Sequence, residues 1–240
     1  MTLPLCRIIC ALALTIAPVA SCAAAEVQEL SIDNNGRAIA VTRYAADGAN
    51  PRPAVLVLHG SGGIEVNPEA YARHARALAE NGIDAYLVRY LGLGSGAGCY
   101  CWDVWAQTVA DVATTILGRP EASGRIGLLG FSLGGAVAVA GARDRRVGAL
   151  VVFYGFIPND AQRSRIERLP PLLVLHSAAD ENVRLSSGKE LAELARQRGG
   201  RAELVVYPGE AHGHSTWREP AASDAINRTI ALFRAELLGH

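Results

Sequence analysis

The reading of this chain turns on Ile126-Gly127-Leu128-Leu129-Gly130-Phe131-Ser132-Leu133-Gly134-Gly135-Ala136-Val137-Ala138. An apolar run, Ile126 to Leu129, leads into a G-x-S-x-G pentad, and a small-residue helical pattern from Ala136 to Ala142 follows. That order predicts a strand, a tight turn and a helix, with one serine at the apex. Glycines flank the serine because such a turn strains the backbone and leaves no room for neighbouring side chains. A serine hydroxyl is a poor nucleophile until a base removes its proton. The stretch therefore predicts partners elsewhere: a histidine, an acid to orient it, and donors for an oxyanion.

Outward from this stretch, apolar runs and helical patterns alternate. Ala54 to Leu58 is continuously apolar, as a strand buried on both faces should be. Asp84 to Tyr90, Arg125 to Gly130, Gly148 to Tyr154, Pro171 to His176 and Ala202 to Tyr207 have the same character. Val27 to Ile32 and Ala38 to Tyr44, parted by Asn34-Asn35-Gly36, read as an opening antiparallel hairpin. Helical patterns occupy Asn67 to Gly82, Asp103 to Leu117, Ser186 to Arg198 and Ser223 to Leu238. His74, inside the first of these, reads as a solvated or half-buried surface residue. The element order implies an α/β fold: one mostly parallel sheet of about eight strands, flanked by helices. The segment between Gly155 and Pro170 is too short for a large lid. Ligands of such sheets bind outside the carboxyl ends of the strands, and Ser132 lies at one such end.

Composition limits the classes of function. The 240 residues are 50% hydrophobic and 19% charged, with Lys+Arg equal to Asp+Glu at 23 each. That balance argues against a nucleic-acid binder, which would show a basic excess. Residues 1–25 carry one charge, Arg7, then the apolar run Ile8 to Ala17 and small residues from Ala20 to Ala25. This is the grammar of a secretory signal, too short to span a membrane. Cleavage after Ala25 would leave a single domain over residues 26–240. Val19-Ala20-Ser21-Cys22 also resembles a lipoprotein signal, which would leave a lipid anchor on Cys22. The expected location is therefore secreted or periplasmic. Of five cysteines, only Cys99 and Cys101 fall outside this leader, too few for a disulfide framework.

Six histidines are candidates for the base: His59, His74, His176, His212, His214 and His240. His212, in Tyr207-Pro208-Gly209-Glu210-Ala211-His212-Gly213, is on a loop leaving a strand's carboxyl end, where an imidazole can reach the serine. His214 is its main rival. The expected acid is Asp180, just past the run Pro171 to His176, where a carboxylate can hold the imidazole tautomer and stabilise an imidazolium. Glu181 is adjacent but projects differently. One oxyanion donor should be the N–H of Leu133, at the start of the helix. The other is expected from His59-Gly60-Ser61-Gly62-Gly63, with the Ser61 N–H as the choice. That loop lacks G-x-G-x-x-G spacing and a G-K-[ST] ending, which sets nucleotide binding aside.

The chain order Ser132, Asp180, His212 is that of α/β-hydrolases. Within that fold the sequence is similar to the dienelactone hydrolase family. The matching pieces are His59-Gly60, Gly130-Phe131-Ser132-Leu133-Gly134, Phe153-Tyr154-Gly155, Asp180 and Tyr207 to Gly213, and the likeness runs over roughly residues 36–238. Dienelactone hydrolases proper use a cysteine nucleophile, and this chain has Ser132. The resemblance implies hydrolysis of carboxylic esters or lactones, with a small-molecule ester as substrate. The same residues would also serve a peptidase or an acyltransferase, and the fold alone would serve a non-catalytic binding protein. The chemistry needs no metal and no organic cofactor.

Leu91 to Trp102 is the most individual segment. Glycine-rich at first, it ends in Cys99-Tyr100-Cys101-Trp102 and leaves a strand's carboxyl end, so it could overhang the site. Cys99 and Cys101 can pair in an oxidising compartment if the loop bends, or stay as two thiols. Two thiolates without a nearby histidine pair leave zinc short of ligands. By position alone, Tyr100, Trp102, Tyr154, Phe156 and Trp217 are candidates to contact substrate.

Overall fold

The computed structural model describes residues 25–34, 36–48, 50–92, 101–213 and 217–239. Nearly all of the leader, together with Cys99, Tyr100, His214 and His240, lies outside them. The chain opens with β1 (Glu26–Asn34), β2 (Arg37–Ala45) and β3 (Arg52–Leu58), followed by α1 (Pro68–Ala79), β4 (Asp84–Val88), α2 (Trp102–Leu117) and β5 (Ala122–Phe131). Then come α3 (Leu133–Gly141), β6 (Val147–Phe153), α4 (Asp160–Ser164), β7 (Leu172–Ser177), α5 (Leu185–Gln197), β8 (Ala202–Tyr207) and α6 (Ala221–Phe233), which ends in a π-helical turn over Arg234–Leu238.

The eight strands form one sheet in the order β1-β2-β4-β3-β5-β6-β7-β8. β1 and β2 pair antiparallel, as do β2 and β4, and every later pair is parallel. This is the expected architecture. The helices divide between the two faces. Val55 and Val57 point into a core shared with α1 and α6, while Ala54, Leu56 and Leu58 point into one shared with α2, α3 and α5. Strand residues covered on both faces have no polar side, which explains the continuous apolar runs.

The antiparallel joint is tied by charge. The buried Asp84 carboxylate accepts hydrogen bonds from Arg43 Nη2 at 2.6 Å, Arg52 Nε at 2.9 Å and the Ala46 N–H at 2.8 Å. The end of β2 and the start of β3 are thus held to the start of β4.

Two elements differ from the sequence expectation. His74 is buried, with its ring 5.0 Å from those of both Phe131 and Phe153. The imidazole tucks under the sheet beside the apolar stripe of Tyr71, Ala75 and Leu78 rather than facing water. The short helix α4 was not foreseen; Asn159 caps it, its Oδ1 accepting the Gln162 N–H at 2.9 Å. No helix among the described residues is long and apolar enough to cross a membrane.

The parallel registers place Leu58 opposite Gly130, Phe131 opposite Phe153, Phe153 opposite Leu175 and Ser177 opposite Tyr207. The carboxyl ends therefore share one rim, and Gly60, Ser132, Tyr154, Asp180 and His212 all leave from it.

Candidate active site

Ser132 stands between β5 and α3 with φ 54° and ψ −115°. Few residues with a Cβ adopt such a pair. The turn is held by the Ser132 N–H donating to the Phe153 carbonyl at 3.0 Å and by the Ala136 N–H donating to the Ser132 carbonyl at 3.2 Å. A Cβ on Gly130 would lie 2.2 Å from the Gly134 carbonyl oxygen, and one on Gly134 would lie 2.2 Å from that of Leu58. The pentad is therefore a steric requirement at both glycines. Ser132 occupies the N-cap of α3, yet its side chain makes no capping bond. Its Oγ turns instead to His212 Nε2, 3.0 Å away.

On the other side of the ring, His212 Nδ1–H donates to Asp180 Oδ2 at 2.7 Å. The acceptor fixes the tautomer: with Nδ1 protonated, Nε2 keeps the lone pair that faces the serine O–H. The Asp180 carboxylate has no exposed surface, and its Oδ1 accepts the N–H groups of Asn182 at 2.9 Å and Val183 at 2.8 Å. Buried and triply hydrogen-bonded, it is held in one orientation. A line of this kind can take a proton from a hydroxyl and stabilise the imidazolium that results.

The loop after β3 abuts the serine. A Cβ built on Gly60 would be 3.7 Å from Ser132 Cβ. The Gly60 N–H donates to the Tyr71 hydroxyl at 3.0 Å, and the Tyr90 hydroxyl donates to the His59 carbonyl at 2.6 Å. His59 stacks on Tyr90 with centroids 4.5 Å apart, and its burial pushes the imidazole below its ordinary value. His59 thus shapes the loop. Ser61 is exposed at the tip of the turn closed by the Gly63 N–H on the Gly60 carbonyl at 3.1 Å. Leu133 N–H, first in α3, has no acceptor within the helix.

A sequence profile described as the dienelactone hydrolase family matches residues 103–237, more than half of the chain. The chain belongs to the dienelactone hydrolase family. It is accordingly a hydrolase of the carboxylic-ester class. No curated protein matches it in sequence. Among solved structures it is similar to a putative dienelactone hydrolase from Klebsiella pneumoniae, at TM-score 0.74 and 21% identity over 88% of this chain and 98% of that one. A dienelactone hydrolase from Anabaena variabilis superposes at TM-score 0.75 and 20% identity, over 89% of this chain and 99% of the other. A hyperthermophilic esterase from the archaeon Pyrobaculum calidifontis does so at TM-score 0.71 and 22% identity, over 86% and 82%. These structural likenesses speak for the shared fold.

In this dienelactone hydrolase family member, the five aromatic candidates separate by position. Tyr154, at φ 39°, places its ring 4.6 Å from that of His212. Trp217 is buried against Tyr154, Phe153 and Tyr207, and its indole N–H donates to the Ala211 carbonyl at 2.8 Å. It braces the loop that carries His212 from behind. Trp102 and the half-buried Phe156 meet edge to face at 6.1 Å. Tyr100 lies outside the described residues, as does the rival base His214. Cys101 is disulfide-bonded and stands at the N-cap of α2, directly before Trp102. Reasoning from the sequence missed the two tyrosines that hold the Gly60 turn and, while naming His176 among the histidines, missed its place beside Asp180. Each ends or faces an apolar element, and no local pattern marks it as part of a site.

Proposed function

We propose that the protein cleaves carboxylic esters, lactones included, through an acyl-enzyme formed on Ser132. The observation that carries this reading is the unbroken line Ser132 Oγ, His212, Asp180, at 3.0 and 2.7 Å. Ser132 Oγ attacks the acyl carbon as His212 Nε2 takes its proton. Asp180 stabilises the imidazolium, and the Leu133 and Ser61 N–H groups receive the oxyanion. The imidazolium then gives its proton to the departing alkoxide. Water, activated by the same imidazole, releases the acid and restores Ser132. A short span between β6 and β7, with only the five-residue α4 in it, favours a small or exposed ester over a long acyl tail. The leader grammar of residues 1–25 and the disulfide at Cys101 support a place outside the reducing cytoplasm.

Ser132→Ala tests the reading. Turnover of a short activated ester should fall on the order of 10⁶-fold, and labelling by a fluorophosphonate probe should disappear. Retained turnover and labelling would overturn it. A wild-type protein that takes the probe but cleaves only amides or transfers its acyl group to an alcohol would move the activity to a peptidase or an acyltransferase.

A further inference from the structure

His176 is the penultimate residue of β7, and no solvent reaches its ring. Its Nε2 lies 2.8 Å from the Val183 carbonyl. A carbonyl can only accept, so Nε2 carries the proton. Nδ1 is then a bare acceptor, buried and without a hydrogen-bond partner. The helix facing it provides room through Gly188, where a Cβ would stand 2.5 Å from Nδ1. The charged or titratable groups that act on the ring are Asp180, whose Oδ2 is 3.9 Å from Nε2, and His212. Burial pushes the imidazole below its ordinary value, against the raising pull of the Val183 carbonyl and Asp180. The ring is therefore neutral and leaves the Asp180 charge to His212.

This is a costly residue to place there. An unpaired buried acceptor lowers stability, and an apolar side chain of similar size would avoid that loss. What the imidazole supplies in return is one hydrogen bond to a residue that matters. Val183 presents its carbonyl, in the peptide that follows it, to His176 and its N–H, in the peptide that precedes it, to Asp180 Oδ1, at 2.8 Å in both cases. We propose that His176 is a positioning residue: its Nε2–H pins the residue 183 backbone, and the pinned backbone holds the Asp180 carboxylate in the orientation His212 needs. The inference rests on the proposed roles of Ser132, His212 and Asp180. It adds a fourth side chain that touches neither substrate nor serine.

The test compares His176→Leu, which removes the donor, with His176→Gln, which restores one. The Leu variant should lose roughly 10–100-fold in kcat with KM within about twofold, because misplacing a group by an ångström acts on the transition state more than on binding. The Gln variant should recover most of the loss. Wild-type kcat in the Leu variant, or a Gln variant no better than Leu, overturns the proposal. Gly188→Ala crowds the same ring from the other side without removing it, which keeps the test open should His176→Leu fail to fold. It should lower kcat likewise, and full activity there refutes the role. Ser132→Ala, run in parallel, separates the two readings. If it stays active, the ester-hydrolase mechanism fails. If it is inactive while the His176 and Gly188 variants match wild type, only the role of His176 fails.

Discussion

Replacing Ser132 by glycine and by alanine should reverse the usual ranking of those two residues. Both changes delete Oγ and lose the bond to His212 equally, so the comparison isolates the Cβ. At an ordinary position alanine is the more stabilising by about 0.4–1 kcal/mol, because it restricts the unfolded chain. Position 132 has φ 54° and ψ −115°, outside the allowed regions for a residue with a side chain. Strain of this kind costs on the order of 1–3 kcal/mol and persists only where the surroundings over-determine it. Here the Phe153 carbonyl, the first turn of α3 and the contacts at Gly130 and Gly134 do so. Subtracting the unfolded-chain effect leaves glycine ahead by roughly 0.5–2 kcal/mol. For a domain of this size that is about 1–8 °C in Tm. Urea denaturation or calorimetry of the two inactive variants in one buffer measures the difference. Alanine as stable as glycine, or more so, would refute the claim that the turn stores strain.

Two further outcomes follow from contacts elsewhere. Gly134→Ala forces a Cβ against the Leu58 and His59 carbonyls, at 2.2 and 2.4 Å before relaxation, so β3 and α3 must part by nearly an ångström. Stability should fall by about 1–3 kcal/mol and kcat by roughly 100-fold, and a variant with wild-type kinetics would contradict the close approach. Burial alone would raise the Asp84 carboxyl, but the Ala46 N–H, Arg52 and Arg43 hold it below its ordinary value. A depressed folded value stabilises the fold above the unfolded value, and that share is lost as pH falls through the folded one. Acid titration of unfolding should therefore show stability declining below about pH 4, and Asp84→Asn should flatten that decline while costing about 3–5 kcal/mol at neutral pH. An unchanged acid profile in the variant would exclude Asp84 as the source.

The parts of the site that follow the chain's own punctuation were legible in advance. Ser132 sits between a readable strand and a readable helix, Asp180 follows an apolar run that had to be a buried strand, and His212 follows another run that proves to be the half-exposed edge strand β8. What could not be read depends on which side chains meet across elements. His74 lies between Arg73 and Arg76, and only the sheet packed above it turns that position inward. α4 has five residues, fewer than periodicity needs, and Asn159-Asp160 was its one signal. Trp217 belongs to no strand or helix, and its role exists only because the 207–213 loop folds back over it. His176 looked like any strand-end histidine. Its meaning lies in a peptide seven residues on and a missing Cβ on the next helix.

The sheet order has a consequence for how this protein fails. Ser132 rides on β5, in the interior of the sheet, whereas His212 hangs from β8, which among the described residues pairs with β7 alone and leaves Val206 exposed. Three strand spacings, about 14 Å in all, separate the two supports. Edge elements open at lower free energy than the sheet's middle. A transient peeling of β8 would withdraw His212, the proposed base, and leave the serine turn standing, a reversible silent form reached below the melting point. Inactivation and unfolding would then be separate events, and a catalytic assay would read the health of one outer strand rather than of the whole molecule.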